Sequence, residues 1–341
     1  HGEIITSKGK AGIGKEFYVA NTPSQYTSTG NNFTAGVLAT EDNTVVTVTW
    51  NAGVTFIGAT PTGTSNTFVL NKGQSFIFAG NGATASNIGS FIGAKIVSDK
   101  PITLTNGNCN GNFGAATLSG GSDAVMDQSV PVERLGSTFA MVRTRSTLAD
   151  LEGGIVVATE NNTQVFLNGS TASVATLNAG QWYRISGNDY VAQGTSGHAN
   201  MLVTTSKNVY LYQLVAVGSD NATCGFNYIP PLNCFLPRKI DEIGKINEMP
   251  GITAPIILKL NILTEAGAVV TVSSNGGAPT APTAAQGPYP LTGNTAWVTY
   301  AVEGVSGNIT VESNKAVTAG INGGYSSAGY GGYFAGFSSV P

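Results

Sequence analysis

The sequence has few charged residues and few histidines. These shortages argue against a nucleic-acid-binding protein and against a hydrolase. Charged side chains make up 10% of the 341 residues, against roughly 25% in an average soluble protein. The net charge of −3 gives no basic surface for nucleic acid. No apolar run approaches the ~20 residues that span a bilayer. Two histidines and the lack of a G-x-S-x-G motif offer no hydrolase triad, so an enzyme is the least expected class.

Cysteine is also scarce. Cys224 and Cys234 lie close together in the sequence, and in an oxidising compartment this spacing predicts a disulfide that closes a small loop. Cys109 is then either free or paired with one of the other two. The alternative is three reduced thiols. No C-x-x-C motif or cluster of cysteine and histidine is present, so the sequence predicts no structural zinc site.

Short blocks of strand-forming residues are what the sequence has in abundance. Hydrophobic residues account for 41% of the chain, and 45 glycines separate them together with asparagine, serine and threonine. Turn residues recur about every 8 to 12 positions, a spacing typical of β-sandwiches and β-barrels. Residues 238–247 (RKIDEIGKIN) are the one segment where we expect a helix, of no more than one short turn. The sequence therefore predicts an all-β protein.

Three sequence markers recur along the chain and indicate repeated units. The first reverses the chain between two strands, the second begins a hairpin arm, and the third leads into the closing strand of a unit. The first marker occurs at 39–44 (ATEDNT) and 158–163 (ATENNT), with a degenerate copy at 263–268 (LTEAGA); the second occurs at 70–74 (LNKGQ) and 177–181 (LNAGQ); the third occurs at 98–102 (SDKPI), 205–209 (TSKNV) and 313–317 (SNKAV).

The markers divide the chain into units 1–119, 120–240 and 241–341. Each unit has the length of one β-sandwich and is too long for a solenoid repeat. No long flexible linker separates the units. We therefore predict three tandem β-sandwich-like units packed into one module, with a single large closed β assembly as the alternative.

Two groups of side chains are candidate binding residues. Asn108, Asn110, Asp123 and Asp127 lie near the first junction, and their oxygens are of the type that Ca²⁺ prefers. The alternative is that these side chains cap turns. Tyr325, Tyr330 and Tyr333 lie in a glycine-rich segment and are candidates for stacking against sugars. The alternative is that they pack in the core or pair across strands.

His198 lies in the segment QGTSGHAN, which we interpret as an exposed loop. Adjacent carboxylates such as Glu41 and Asp42 point to opposite faces of a strand. They therefore do not form the carboxylate pair that a glycosidase needs.

Several segments resemble the IgGFc-binding protein N-terminal domain family. They extend over nearly the whole chain, and the chain is more similar to the version found as modules in large bacterial surface proteins. The segments are 14–19 (GKEFYV), 127–136 (DQSVPVERLG), 228–234 (YIPPLNC) followed by 238–247, and 330–337 (YGGYFAGF).

The resemblance implies a secreted or cell-surface module of a larger protein. In bacteria such proteins tend to use type IX secretion and to carry PKD-like repeats and gliding-motility-type C-terminal domains. The resemblance assigns no catalytic residues to positions of this chain, and it does not itself imply IgG binding. We expect a non-catalytic adhesion or ligand-binding module for a glycan, a mucin or another surface, with neighbouring domains as further partners. A structural spacer without a specific ligand is the alternative, and a glycan-active enzyme is less expected. We expect no cofactor apart from the Ca²⁺ considered above.

The first residue is His1 rather than a methionine. We therefore expect the chain to be a mature or excised fragment, with no membrane span in it.

Overall fold

A computed structural model gives the fold of this chain. It describes residues 3–23, 31–58, 63–111, 123–146, 148–194, 197–218, 222–233, 236–244, 257–325 and 328–335. These residues form 24 β-strands and five short 3-10 helices. The prediction of an all-β fold is confirmed. The 3-10 helices are Gly9–Gly12, Ala85–Ile88, Val132–Arg134, Ala149–Leu151 and Gly187–Asp189.

The first unit is built around one long strand that takes part in two groups of neighbours. Its strands are β1 (Gly14–Tyr18), β2 (Asn31–Ala39), β3 (Thr44–Thr49), β4 (Ser65–Leu70), β5 (Ser75–Asn81), β6 (Lys95–Gly111) and β7 (Asp123–Gln128). The first part of β6 pairs with β1 and β3, and its second part pairs with β2 and β7. The strand thus joins two leaves, β1-β6-β3-β4 and β7-β6-β2-β5. Side chains from both leaves share one core, as in a sandwich.

The second unit repeats this arrangement. Its strands are β8 (Gly136–Val142), β9 (Arg145–Ser146), β10 (Gly153–Ala158), β11 (Thr163–Leu167), β12 (Ala175–Leu177), β13 (Trp182–Ser186), β14 (Val191–Gln193), β15 (His198–Gly218) and β16 (Ala222–Tyr228). The long strand is now β15, which pairs first with β8 and β11 and then with β10 and β16. The two leaves are therefore β8-β15-β11-β12 and β16-β15-β10-β13.

In the third unit the long strand is divided in two. The strands are β17 (Lys239–Ile243), β18 (Ile257–Glu265), β19 (Val270–Ser274), β20 (Tyr289–Pro290), β21 (Trp297–Glu303), β22 (Ile309–Ser313), β23 (Val317–Tyr325) and β24 (Ala328–Phe334). The leaves β17-β22-β19 and β20-β21-β18-β23-β24 are separate sheets that share a core. Strands β22 and β23 take the places of the two parts of β6 and β15.

The first sequence marker is a turn with a left-handed residue at one fixed position. Asn43 (φ 52°) and Asn162 (φ 57°) occupy this position in the first two units, and Gly267 (φ 72°) occupies it in the third. Asparagine and glycine tolerate this conformation best. The degenerate third copy therefore retains the residue property that the turn needs.

In units 1 and 2 the third marker lies where the long strand changes partners, and not at the start of a new strand. In unit 3 it connects β22 to β23, which begins at Val317. In each unit a side-chain oxygen of this marker accepts a backbone amide at the start of the neighbouring strand, with an N···O distance of 2.8 Å. Asp99 accepts from Val45, Ser206 from Gln164 and Asn314 from Val269. The following lysine donates to a carbonyl of the first marker: Lys100 to Asp42, Lys207 to Asn161 and Lys315 to Ala266. The first and third markers are thus two halves of one contact, formed three times.

The second marker is a turn that ends on glutamine, and it has a counterpart that the sequence comparison missed. The Gln74 side chain accepts the amide of Asn71, and Gln181 accepts that of Asn178. Gln286 accepts the amide of Thr283 in the same way, at 2.8 Å.

The units contact each other through extensive surfaces. A buried cluster that includes Tyr18, Val125, Tyr212 and Phe226 lies between units 1 and 2, so the β16-β15-β10-β13 leaf is covered on both faces. A smaller cluster that includes Leu202 connects units 2 and 3. The sequence thus folds as one module of three packed units.

Backbone also meets backbone between the units. A Cβ atom on Gly93 would lie 1.8 Å from the carbonyl oxygen of Gly180, and one on Gly293 would lie 2.5 Å from the amide nitrogen of Gly169. Only glycine permits such an approach.

The structure differs from the sequence-based expectation in two places. Strand β7 lies after position 119, yet it pairs with β6, which moves the first boundary beyond Gln128. The segment expected to form a short helical turn contains strand β17 instead. Ile240 and Ile243 are buried in the unit 3 core, and pairing with β22 outweighs the local helical pattern.

Candidate functional site

Asp127, a predicted calcium ligand, is fully buried and bonded to protein groups. Its Oδ2 atom lies 2.8 Å from Lys8 Nζ and accepts the amide of Tyr228 at 3.0 Å. Its Oδ1 atom accepts the amides of Thr6 and Gln128 and the Thr6 hydroxyl. The carboxylate therefore holds the N-terminal segment against β7 and β16.

The other three predicted calcium ligands lie on β6 and β7. Asn108 Oδ1 accepts the Thr22 amide at 2.8 Å and the Thr22 hydroxyl at 2.7 Å. Asp123 Oδ1 accepts the amide of Ala124, and the Asn110 Oδ1 atom is buried without a hydrogen bond. In the part of the chain that the structure describes, no three His, Cys, Asp or Glu side chains are grouped as metal ligands. The calcium site stays a prediction.

Glu3 and Asp127 form a buried acidic pair beside β7. Burial raises the pKa of Glu3 well above its usual range, and the nearby Asp127 carboxylate adds to the effect. Burial also raises the pKa of Asp127, while Lys8 and the backbone amides of Tyr228 and Thr6 act in the opposite direction. Glu3 Oε2 has no hydrogen-bond partner. Burial and the Asp127 carboxylate both favour the protonated form of Glu3.

Two of the three candidate sugar-stacking tyrosines are core residues. Tyr330 is 0% exposed and belongs to the unit 3 core, and Tyr333 is 9% exposed and donates to or accepts from Thr318 Oγ1 at 2.7 Å. Neither ring has a free face for a sugar, because strand β24 is packed between units 2 and 3. Tyr325 ends β23, and its side chain lies outside the described part of the structure.

Cys109 is a free, exposed thiol, and its sulfur lies 3.0 Å from Thr34 Oγ1. The side chain of Cys224 and the whole of Cys234 lie outside the described residues. The disulfide between them stays a prediction.

A polar cleft of about 320 Å³ lies between units 2 and 3. Its volume is within the range of small-ligand sites, roughly 300 to 1,000 Å³. Unit 2 contributes the chain around Arg145 and the start of β15. Unit 3 contributes β18, β21 and the loop before β20. The lining side chains that bear polar groups are Thr144, Arg145, His198, Lys259, Gln286 and Glu303.

Lys259 is the central cationic group of this cleft. It is 6% exposed, and its ammonium group donates to the carbonyl oxygens of Arg143 at 2.7 Å and Thr144 at 3.2 Å. Burial lowers the pKa of Lys259 to about 8, with partial compensation from Glu152 and Glu303. Sequence reasoning missed this residue, although a lysine inside the apolar run IILKLNIL is a signal of a buried charge.

His198 was expected in an exposed loop, but it is buried at the edge of the cleft. Its side chain is 2% exposed, with Nε2 2.8 Å from Thr299 Oγ1, and its ring stacks on Tyr289. Burial lowers the pKa of His198 to about 4, and Lys259 adds to this effect. The imidazole is therefore neutral at physiological pH. The expectation of a surface histidine is wrong because β15 begins at this residue and packs against unit 3.

The family comparison identifies the kind of protein. A family model described as IgGFc binding protein matches residues 4–323, which includes units 1 and 2 and most of unit 3. The chain belongs to this family. The IgGFc-binding family is one of binding proteins, and its domains are typically extracellular.

For this member of the IgGFc-binding family, no curated protein gives a significant match. Among the residues that the structure describes, no helix is long and apolar enough to cross a membrane.

Proposed function

We propose that this chain is a non-catalytic, extracellular adhesion module that binds its ligand in the cleft between units 2 and 3. The observation that supports this best is the cleft itself, where a buried lysine and a salt-bridged Arg145–Glu303 pair line a space of about 320 Å³. A polar space between two packed units is a common position for a ligand.

Glycans, including those of mucins, are the ligand class that we favour. The lining combines hydrogen-bonding groups with small residues such as Gly197 and Ala301, which suits a ligand rich in hydroxyl groups. A glycosidase needs two carboxyl groups across a cleft. Glu303 is the only carboxylate among the described lining residues, and it is paired with Arg145, so the cleft favours binding over hydrolysis.

Resemblance to bacterial surface modules supports a second part of the proposal. We propose that the chain is carried by a cell-surface protein of the gliding-motility type, exported by type IX secretion. Determining the sequence of the whole parent protein tests this. A signal peptide, PKD-like repeats and a C-terminal sorting domain are expected, and a cytoplasmic parent protein would contradict it.

Blocking the cleft tests the binding proposal. Ala285 is an exposed lining residue, and Ala285→Trp places a large ring at the cleft. Ala172→Trp, in an exposed loop of unit 2, is the matched control. Both variants and the unmodified chain are applied to immobilised mucin, a glycan array and IgG Fc.

We expect the unmodified chain and Ala172→Trp to bind the same glycans, and Ala285→Trp to lose that binding. Equal binding by all three proteins would place the ligand site elsewhere. A lack of specific binding to any surface would favour the spacer function instead.

A further inference from the structure

The charges around the cleft do not balance. Five charged side chains influence one another here: the cations Arg143, Arg145 and Lys259, and the carboxylates Glu152 and Glu303. His198 is the remaining titratable group beside Lys259 in the described part of the chain, and it is neutral because burial lowers its pKa to about 4. Among the residues that the structure describes, one positive charge is therefore in excess.

Both carboxylates of this group are engaged by arginines. Arg143 Nε lies 2.9 Å from Glu152 Oε2, and Arg145 Nη1 lies 3.1 Å from Glu303 Oε1. Glu152 also accepts the Thr144 hydroxyl and the Ser146 amide. Among the described residues, no carboxylate forms an ion pair with Lys259.

Lys259 has unused hydrogen-bonding capacity. An ammonium group has three N–H donors, and the described residues accept two of them, through the carbonyl oxygens of Arg143 and Thr144. Burial of a charge without a counter-charge is unfavourable. The position of Lys259 in the wall of an open cleft leaves room for a ligand to provide that counter-charge.

We propose that the cleft binds an acidic sugar, and that the sugar carboxylate accepts a hydrogen bond from Lys259. This inference depends on the proposed function, because it names the ligand class of the same cleft. A single carboxylate matches the single excess positive charge. A phosphate monoester carries about −1.5 to −2 at pH 7 and would exceed it. The neutral His198 and Gln286 side chains are left for the remaining, uncharged part of the sugar.

The proposed hydrogen bond between Lys259 and the sugar carboxylate makes the affinity depend on pH. The pKa of Lys259 is lowered to about 8 by burial, so the free protein loses the ammonium charge as the pH rises through 8. A carboxylate ligand favours the protonated lysine. Affinity should therefore be constant between pH 6 and 7 and decrease above pH 8, whereas binding of an uncharged sugar should not change over this range.

The test uses two acids and their neutral methyl esters. N-acetylneuraminic acid, glucuronic acid and the two esters are titrated into the whole chain by calorimetry at pH 6.5 and pH 9.5. N-acetylglucosamine 6-sulfate is titrated in parallel. The same titrations are made with Lys259→Met, with Ala285→Trp, and with Lys207→Met as a control for loss of a lysine elsewhere. Thermal melting checks that each variant folds.

We expect at least one acid to bind about tenfold or more tightly than its ester, since a hydrogen bond to a charged group contributes on this scale. That preference should disappear in Lys259→Met and at pH 9.5, and persist in Lys207→Met. If Lys259→Met does not fold, the comparison of acid with ester in the unmodified chain decides.

Equal affinity for acid and ester, tighter binding of the sulfate, or no saturable binding of either acid would overturn the inference. The proposed function fails separately. It stands if glycans bind to the unmodified chain but not to Ala285→Trp, even where no acid is preferred.

Discussion

The buried ion pair between Lys8 and Asp127 makes the most demanding prediction about stability. The two side chains are 2% and 1% exposed, and their atoms lie 2.8 Å apart. Asp127 also accepts hydrogen bonds from Thr6, Gln128 and Tyr228. We consider the isosteric replacement Asp127→Asn, which removes the charge and turns one acceptor into a donor.

The expected loss of stability comes from the buried polar groups that each substitution leaves without a partner. Removing one partner of a buried ion pair destabilises a protein by about 3–5 kcal/mol. In Asp127→Asn, an NH2 group replaces one carboxylate oxygen. At the Oδ2 position it takes this acceptor from both the Lys8 ammonium and the Tyr228 N–H, and at the Oδ1 position it faces the amides of Thr6 and Gln128. In Lys8→Met, Asp127 keeps four other donors, and burial raises its pKa, which makes protonation of the unpaired carboxylate easier. We therefore expect the loss of Asp127 to cost more than the loss of Lys8.

Urea unfolding at pH 7 measures both costs, and hydrogen exchange shows whether residues 3–12 are released before the rest. Asp241→Asn is the matched control, because Asp241 forms an ion pair with Lys239 on the exposed surface. Exposed pairs contribute little, so this variant should unfold like the unmodified chain. The reasoning is refuted if Asp127→Asn is no less stable than Asp241→Asn, or if Lys8→Met is the more destabilised of the two single variants.

Three further predictions concern acid, packing and metal. The folded-state pKa of Glu3 is raised, so its ionisation opposes folding as the pH rises. Glu3→Gln should therefore be more stable than the unmodified chain at pH 7 and lose this advantage near pH 4. Equal melting temperatures of the variant and the unmodified chain at both pH values would contradict this. Gly93→Ala should destabilise the module by more than about 1 kcal/mol. The control is Gly63→Ala, because Gly63 has a φ of +85° against +86° at Gly93 but no atom within 4 Å of its Cβ position, and its cost should be smaller. Equal losses of stability would show that the contact between Gly93 and Gly180 is unimportant. If Asn108, Asn110, Asp123 and Asp127 bind Ca²⁺, millimolar calcium should raise the melting temperature, and an unchanged temperature would rule the site out.

Local chemistry explains why the repeats were visible in the sequence. The marker residues carry side chains that bond to neighbouring backbone, as Asp99 does with Val45 and Lys207 does with Asn161. Such contacts constrain residue identity at fixed positions. The all-β class was predictable for a similar reason, because strand and turn residues alternate along the whole chain.

The cleft was not predictable because it depends on how the units pack. Arg145 and Glu303 are 158 positions apart in the chain, and only the docking of unit 3 on unit 2 brings them together. The same docking buries His198, which local sequence placed in an exposed loop. Tyr330 and Tyr333 show the converse, since packing on both sides of β24 converts an apparently open aromatic segment into core.

The glycine contacts between units also bear on how a ligand would be received. Where Gly93 meets Gly180 and Gly169 meets Gly293, backbone lies against backbone, and no side chain is present whose rotamers could accommodate a shift. Hinge motion between the units would have to break these contacts outright. A ligand would then meet a preorganised cleft and spend little of its binding free energy on ordering the protein. Association should proceed in a single kinetic step whose rate increases linearly with ligand concentration.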